Sequence, residues 1–245
     1  MSDTPACNTA LIVGAGPGIS ASLARLLAKQ KIKVALAARA IDKLSGLTQE
    51  TGAKAFACDA TKRDEVERLF ADVEAAFGAP EAVVYNASFR TRGSIVDLDP
   101  AEVEKAIAVT AFGGFLVAQA AAKRMLGAGR GTILFTGAIA SLRGGKGYAA
   151  FASAKFALRG VAQAMARELG PQNIHVAHLI IDAGVDTAFV KDRIRARGGD
   201  EAVARIEPDQ LMNPDSIADA YWYLHQQKRD AWTFELDVRP YKETW

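Results

Sequence analysis

Apolar and polar positions fall into alternating blocks along this chain. "NTALIV" (8–13) is a short apolar run stopped by glycine, and "SASLARLLAKQ" follows with Ile19, Leu23, Leu26 and Leu27 on one helical face. "IKVALAA" (32–38) predicts a buried strand, residues 41–51 a polar helix, and "AKAFAC" (53–58) a third strand. "RDEVERLFADVEAAF" predicts a helix whose acidic first turn suits the helix dipole, and "EAVVYNA" a fourth strand. Asp99-Pro100 opens a long helix, an N-cap residue followed by proline at the first helical position. "GTILFTG" predicts a fifth strand, and Tyr148 to Leu169 a helix stopped at Gly170-Pro171. "IHVAHLII" is a sixth strand, 187–212 a polar, irregular segment, Asn213-Pro214 the start of another helix, and "AWTFELDV" a last strand.

Near-continuous apolar strands alternating with helices imply an α/β fold: a Rossmann-type, doubly wound parallel sheet of about seven strands in three layers, with right-handed crossovers. The chain has 245 residues, half of them hydrophobic, and shows no linker or repeat, so residues 1–245 are expected to form one dinucleotide-binding domain. The net charge of +2 comes from interspersed acids and bases, which points away from nucleic acid and anionic membrane as partners. Cys7 and Cys58 form no disulfide framework, and the N-terminus lacks a basic, then apolar, leader pattern. No apolar run reaches the roughly 18 residues needed to span a bilayer. A cytoplasmic location is the expectation.

The first strand ends in "GAGPGIS", with Gly14, Gly16 and Gly18. A chain turning sharply from strand into helix, with its backbone against a pyrophosphate, needs positions without Cβ atoms, and the helix N-terminus then offers N–H groups to the phosphates. The second strand ends "ALAARAIDKL". A carboxylate there would select NAD through the ribose hydroxyls. Ala38 stands at that position and Arg39 follows, and an arginine suits a 2′-phosphate, so NADP(H) is favoured over NAD(H).

With these motifs in order, the sequence resembles the short-chain dehydrogenase/reductase family over nearly its whole length. "GAGPGI", ending at Ile19, resembles the family's cofactor turn, with Ser20 where its last glycine usually lies. "CDAT" holds Asp59 and Ala60, similar to the segment whose aspartate bonds the adenine amino group. "YNAS" resembles the Asn-Ala-Gly sequence, keeping Asn86 and Ala87. "ASAKFALRGVAQAMARELG" resembles the catalytic helix with Lys155 in the lysine position, and "VDT", Val185 to Thr187, the segment whose threonine contacts the nicotinamide amide. The departures are as specific. Phe151 stands at the family's catalytic tyrosine, Ala138 at its serine, Thr110 at its assisting asparagine, and Asp182-Ala183 at its proline-glycine. The resemblance implies a homotetramer or dimer built on the two long helices, acting on a small-molecule substrate held under the mobile segment 187–212.

In the mechanism that the resemblance implies, a tyrosine donates a proton as hydride arrives, and the lysine bonds the ribose and lowers the tyrosine pKa. Phenylalanine has no proton to give. Tyr148 lies seven residues before Lys155, a spacing similar to that of the enoyl-acyl-carrier-protein reductase branch. Two helical turns separate the pair by about 10 Å, so they can meet only if Tyr148 precedes the helix and folds back over the site. Gly144, Gly145 and Gly147 permit that. Packing at the helix start, or in a subunit contact, is the other reading. Lys155 in an apolar helix needs a partner for its charge, and ribose hydroxyls would supply one. Ser141 and Thr136 are the hydroxyls nearest the missing serine, and either could polarise a substrate oxygen as a catalytic group, though neither has the usual spacing. Arg143 and Lys146 flank the same loop, where they could attract an anionic substrate or a pantetheine-phosphate carrier, the other reading being a solvated loop. His175 and His178, three apart in a strand, point to opposite faces and make no metal pair. The expected activity is NADPH-dependent reduction of a carbonyl or an activated C=C. The alternatives are a weakly active or inactive NADP(H)-binding homologue serving as sensor or subunit, and a carbonyl reductase with ordered water as the donor.

Overall fold

A computed structural model describes residues 7–243. Residues 1–6, part of the segment read as lacking a leader, lie outside the described residues, as do 244–245. Seven parallel strands run in the order β3-β2-β1-β4-β5-β6-β7: β1 Thr9–Val13, β2 Lys33–Ala38, β3 Lys54–Ala57, β4 Ala82–Tyr85, β5 Gly131–Thr136, β6 Ile174–Ile181 and β7 Glu235–Val238. The doubly wound sheet expected from the sequence is therefore present. The strand order reverses beside β1, which pairs with β2 on one side and β4 on the other, so Val13 lies between Ala37 and Tyr85. In sheets of this kind, ligands bind outside the carboxyl ends of the strands at that reversal.

The strands bury both faces because alternate side chains serve different layers. Leu11, Val83, Tyr85, Ile133 and Phe135 face α3 (Arg63–Phe77), α5 (Gly113–Ala128) and α6 (Ala149–Leu169). Ala10, Ile12, Leu36, Val84 and Leu134 face α1 (Ile19–Lys29) and α8 (Pro214–His225). On α1 the predicted face holds, with Leu23 and Leu27 buried and Ile19 and Leu26 packed partly against the same core.

The helix predicted over 41–51 is a 3-10 turn, Ile41–Leu44, followed by α2, Ser45–Thr51. Asp99 caps α4 (Pro100–Ile107) by accepting from the Ala101 N–H. The long helix then passes through a π-turn, Ala108–Phe112, before α5. The Val109 carbonyl faces the Tyr85 hydroxyl, which donates to it. The pair Gly113-Gly114 lets the helix come this close: a Cβ on Gly113 would sit 2.5 Å from the Tyr85 oxygen, and one on Gly114 2.5 Å from Leu158. Pro100–Ala128 is long and apolar enough to cross a membrane by length and composition, but most of its apolar window is buried inside the fold, as in a core helix.

The segment 187–212 is not irregular throughout. Thr187 caps a helix, α7 (Ala188–Ala204), by accepting from the Val190 N–H. The helix is broken at Gly198 and Gly199, the latter at φ +70°. Its residues are largely solvated, with none fully buried, so it carries little of the apolar periodicity that marks a packed helix.

Candidate active site

The glycine turn opens onto a cleft of about 340 Å³ at the strand-order reversal. Gly14 adopts φ +86°, and a Cβ there would lie 2.3 Å from the Ala87 backbone nitrogen. Gly18, at φ +98°, would push a Cβ to 2.6 Å from the Thr187 methyl group. Around Gly16 there is open space, so the bare backbone faces the cleft there. Ser20, in place of the family glycine, is buried and useful: its hydroxyl donates to the Gly14 carbonyl at 3.2 Å and accepts from the Asn86 amide at 2.8 Å. Asn86 thus ties the turn to the end of β4, and its own N–H bonds the Val13 carbonyl.

Arg39, Asp59, Ala60 and Ala87 line the same cleft. So does Lys43, a second cation near Arg39 that the sequence reading did not single out. Asp59 accepts from both the N–H and the hydroxyl of Thr61, at 3.0 and 2.8 Å. Burial opposes its charge, but these bonds and the neighbouring Lys62 and Arg39 hold its carboxyl below the usual range. Val185 bridges to Met212, and the Thr187 hydroxyl is engaged as the cap of α7. The backbone conformation and the open space at Gly16 fit the pyrophosphate of a nicotinamide dinucleotide.

Lys155 lies at the carboxyl end of β5, almost fully buried, with Nζ donating to the Thr136 carbonyl at 2.7 Å. Burial, and then the charge of Arg90, lower its pKa to about 7. Phe151 sits between two cations, with the Arg90 guanidinium 4.9 Å and the Lys155 ammonium 5.9 Å from its ring centre. Ala138 and Tyr148 pack against the same small apolar cluster of Ala140, Phe151 and Ala152.

Tyr148 is the N-cap of α6 rather than a residue within it. Its ring therefore escapes the lean of helical side chains and folds onto the Phe151 cluster. Arg92 stacks on that ring at 4.1 Å and Arg90 at 5.0 Å. Partial burial raises the phenol pKa, but a hydrogen bond from Arg90 and the charges of Arg90, Arg92 and Arg197 outweigh it and hold the phenol below its ordinary value.

Ser141 is not brought to the cleft. It is fully buried, and its oxygen accepts from the Ala138 N–H at 3.2 Å and lies 3.4 Å from His178 Nε2. His178 Nδ1 lies 3.1 Å from Glu235, which Arg159 grips with two bonds of 2.6 and 2.8 Å. Burial pushes the His178 pKa down to about 4, so the imidazole is neutral near pH 7. The Glu235 carboxylate can only accept, which fixes the proton on Nδ1 and leaves Nε2 to accept from Ser141. This chain joins four distant elements, and no local spacing announces it. Thr110 is also fully buried, in the π-turn, with its hydroxyl against Ser88 and the Phe89 N–H. Asp182 is buried and forms an ion pair at 3.5 Å with Arg239, the residue after β7. His175 and His178 have separate surroundings, the former stacked on Trp232.

A family profile described as short chain dehydrogenase matches residues 8–198. The chain belongs to the short-chain dehydrogenase family. A (3R)-3-hydroxyacyl-CoA dehydrogenase from Canis lupus familiaris is 30% identical over 229 residues, 88% of each chain. Among solved structures, a short-chain dehydrogenase from Rhodopseudomonas palustris is 38% identical, with a TM-score of 0.79 over 97% of this chain and all of the other. An alcohol dehydrogenase from the archaeon Thermococcus sibiricus, solved with 5-hydroxy-NADP, is 28% identical, with a TM-score of 0.81 over 97% and 98% of the two chains. As a short-chain dehydrogenase the protein is an oxidoreductase that works with a nicotinamide cofactor on a small-molecule substrate. The chain has Gly14, Gly16 and Gly18 in its turn and Lys155, Phe151 and Ala138 around the end of β5.

Proposed function

We propose that this protein is an NADPH-dependent reductase acting on a carbonyl or activated C=C of a small organic substrate, with Tyr148 as proton donor. The observation that carries the reading is the Tyr148 phenol, bonded by Arg90 and folded onto Phe151, whose ring lies 5.9 Å from the buried Lys155 ammonium.

When bound, the nicotinamide supplies the hydride. Gly14, Gly16, Gly18 and the start of α1 at Ile19 hold the pyrophosphate through bare backbone and free N–H groups. Arg39 and Lys43 grip the 2′-phosphate, which sets NADP(H) above NAD(H). Asp59 and Ala60 would meet the adenine, Asn86, which ties the turn to β4, and Ala87 would hold the adjoining ribose, and Val185 and Thr187 would border the nicotinamide end. Lys155 spends one of its three N–H donors on Thr136, leaving two for ribose hydroxyls. Tyr148 releases its proton from Oη as negative charge develops on the substrate oxygen, and Arg90 stabilises the phenolate left behind. Ser141 acts as a positioning residue, holding the Ala138 backbone that replaces the family serine.

The name of the canine relative adds 3-oxoacyl thioesters to the ketones and enones worth trying. Exposed Phe112, Phe115, Leu126 and Phe156 on the two long helices support a dimer or tetramer, which sedimentation of the purified protein tests. Free Cys7 and Cys58 support a reducing, cytoplasmic setting. The functional test is NADPH oxidation in the presence of ketones, enones, 3-oxoacyl thioesters and enoyl thioesters. Turnover of at least one class is expected; NADPH binding without turnover on all of them would overturn the reading.

A further inference from the structure

Four arginines converge on the mouth of the site from two separate elements. Arg90 and Arg92 come from the loop after β4 and stack on Tyr148. Arg193 and Arg197 come from the first part of α7; Arg193 acts electrostatically on Tyr148, Arg90, Arg92 and Arg197, and Arg197 on Tyr148 and Arg193. Arg193 lies over the Phe189 ring at 5.6 Å, which orients its guanidinium. Like charges gathered this closely repel, and folds ordinarily answer such a cluster with carboxylates.

Here the nearby carboxylates are committed elsewhere. On and beside α7, Asp186 pairs with Lys191, Asp192 and Asp200 with Arg195, and Glu201 with Arg205. Among the described residues no carboxylate pairs with Arg90, Arg92, Arg193 or Arg197. The aromatic faces of Tyr148, Phe151 and Phe189 hold the guanidinium planes of Arg90, Arg92 and Arg193 without neutralising them. The result is a preoriented cationic mouth directly over the proposed proton donor. By contrast Arg143 and Lys146, the loop cations that the sequence suggested, stand exposed to solvent.

We infer that Arg90, Arg92, Arg193 and Arg197 seat an oxyanion of the substrate, a carboxylate or a phosphate, so that the reducible group beneath it lies against Tyr148. The inference rests on the reductase reading for the position of the reacting group, but the anion seat itself does not require turnover. Planar guanidinium groups bind carboxylate and phosphate through paired hydrogen bonds, which gives orientation as well as attraction.

Two substrate pairs separate the sources of the charge. Acetoacetate against ethyl acetoacetate tests a carboxylate, and acetoacetyl-CoA against the acetoacetyl thioester of N-acetylcysteamine tests phosphate. The charged member of one pair is expected to show a KM about ten-fold lower, from one or two charge-assisted bonds. In an Arg92→Gln/Arg193→Gln variant that preference should collapse, with KM for the charged member rising about ten-fold. Arg92→Lys should recover only part of it, because an ammonium lacks the paired donors. Equal KM values within both pairs, or a preference that survives in the double variant, would overturn the inference. A second readout needs no chemistry: calorimetric titration of malonate and of coenzyme A into the NADPH-loaded protein. Saturable, salt-weakened binding of either probe, lost in the double variant, supports the seat even if no substrate turns over, whereas no binding of either overturns it. Absence of all turnover with intact probe binding would sink the reductase reading alone.

Discussion

The two halves of the cleft are built under different rules. Around β1 to β3, the turn places Gly14 and Gly18 at positive φ, with the Ala87 backbone and Thr187 pressed against them. Side chains are excluded there by geometry, so the residue type cannot drift without loss of the turn. Around α6, Phe151 and Ala138 stand at the positions that the sequence resemblance assigns to a tyrosine and a serine, and the polar groups come from elsewhere: Tyr148 from the helix cap, Arg90 and Arg92 from the loop after β4. A backbone requirement is tied to one position, whereas a phenol or a guanidinium can be delivered to the same space from several elements. That is why one half keeps its motif and the other has been rebuilt around an apolar centre.

The sharpest break in the comparison is Gly14→Val. Its Cβ would overlap the Ala87 backbone while φ stays positive, so the variant should show no measurable NADPH affinity by fluorescence titration. Retained affinity would remove the geometric argument for this half. The buried histidines should in turn make the whole fold acid-labile. His178 in its buried chain binds no proton until about pH 4, whereas an unfolded imidazole does so below about 6.5. His225, whose ring Nδ1 meets the Thr132 hydroxyl under the sheet, behaves the same way through burial. The unfolded chain therefore takes up more protons across that window, and stability falls as pH drops from 6.5 towards 4, by about 3 kcal/mol per histidine. The depressed Glu235 carboxyl extends the loss at still lower pH. Urea midpoints at pH 6.5 and 4.5 measure this; equal midpoints would contradict the neutral, buried imidazoles.

Lys155→Met should split the two properties of that residue. Removing a buried ammonium with a single carbonyl partner should raise the melting temperature without cofactor. Losing its donors to the ribose should weaken NADPH binding by roughly 10- to 100-fold. A variant that melts lower and binds NADPH normally would make Lys155 purely structural. The smallest effect is expected at Arg39→Leu, where the ratio of NADPH to NADH affinity should fall by about ten-fold, with Lys43 retaining part of the preference.

Much of this was legible in the residues. The parallel sheet followed from apolar runs such as "IHVAHLII", and the cradle from "GAGPGIS" placed between a strand and a helix. The absence of a hydroxyl at positions 138 and 151 was plain too. What stayed hidden depends on distance in sequence. The chain from Ser141 through His178 and Glu235 to Arg159 spans 94 residues between its extremes, Ser141 and Glu235, and carries no periodicity. Helix α7 escaped because its capping threonine opens a solvated helix interrupted by two glycines. The π-turn at Ala108–Phe112 left no signal except the glycine pair after it. The arginine mouth was missed because its members lie about a hundred residues apart, the loop pair resting on the Tyr148 and Phe151 rings of a third segment and Arg193 on Phe189 of its own helix.

The account turns on a proton donor displaced from its usual position to the cap of α6, and single-turnover NADPH oxidation by Tyr148→Phe examines this directly. Using the best substrate found, the variant should bind NADPH with unchanged affinity and transfer hydride about 100-fold more slowly, the loss of a general acid. An unchanged rate would contradict the account and pass the role to ordered water.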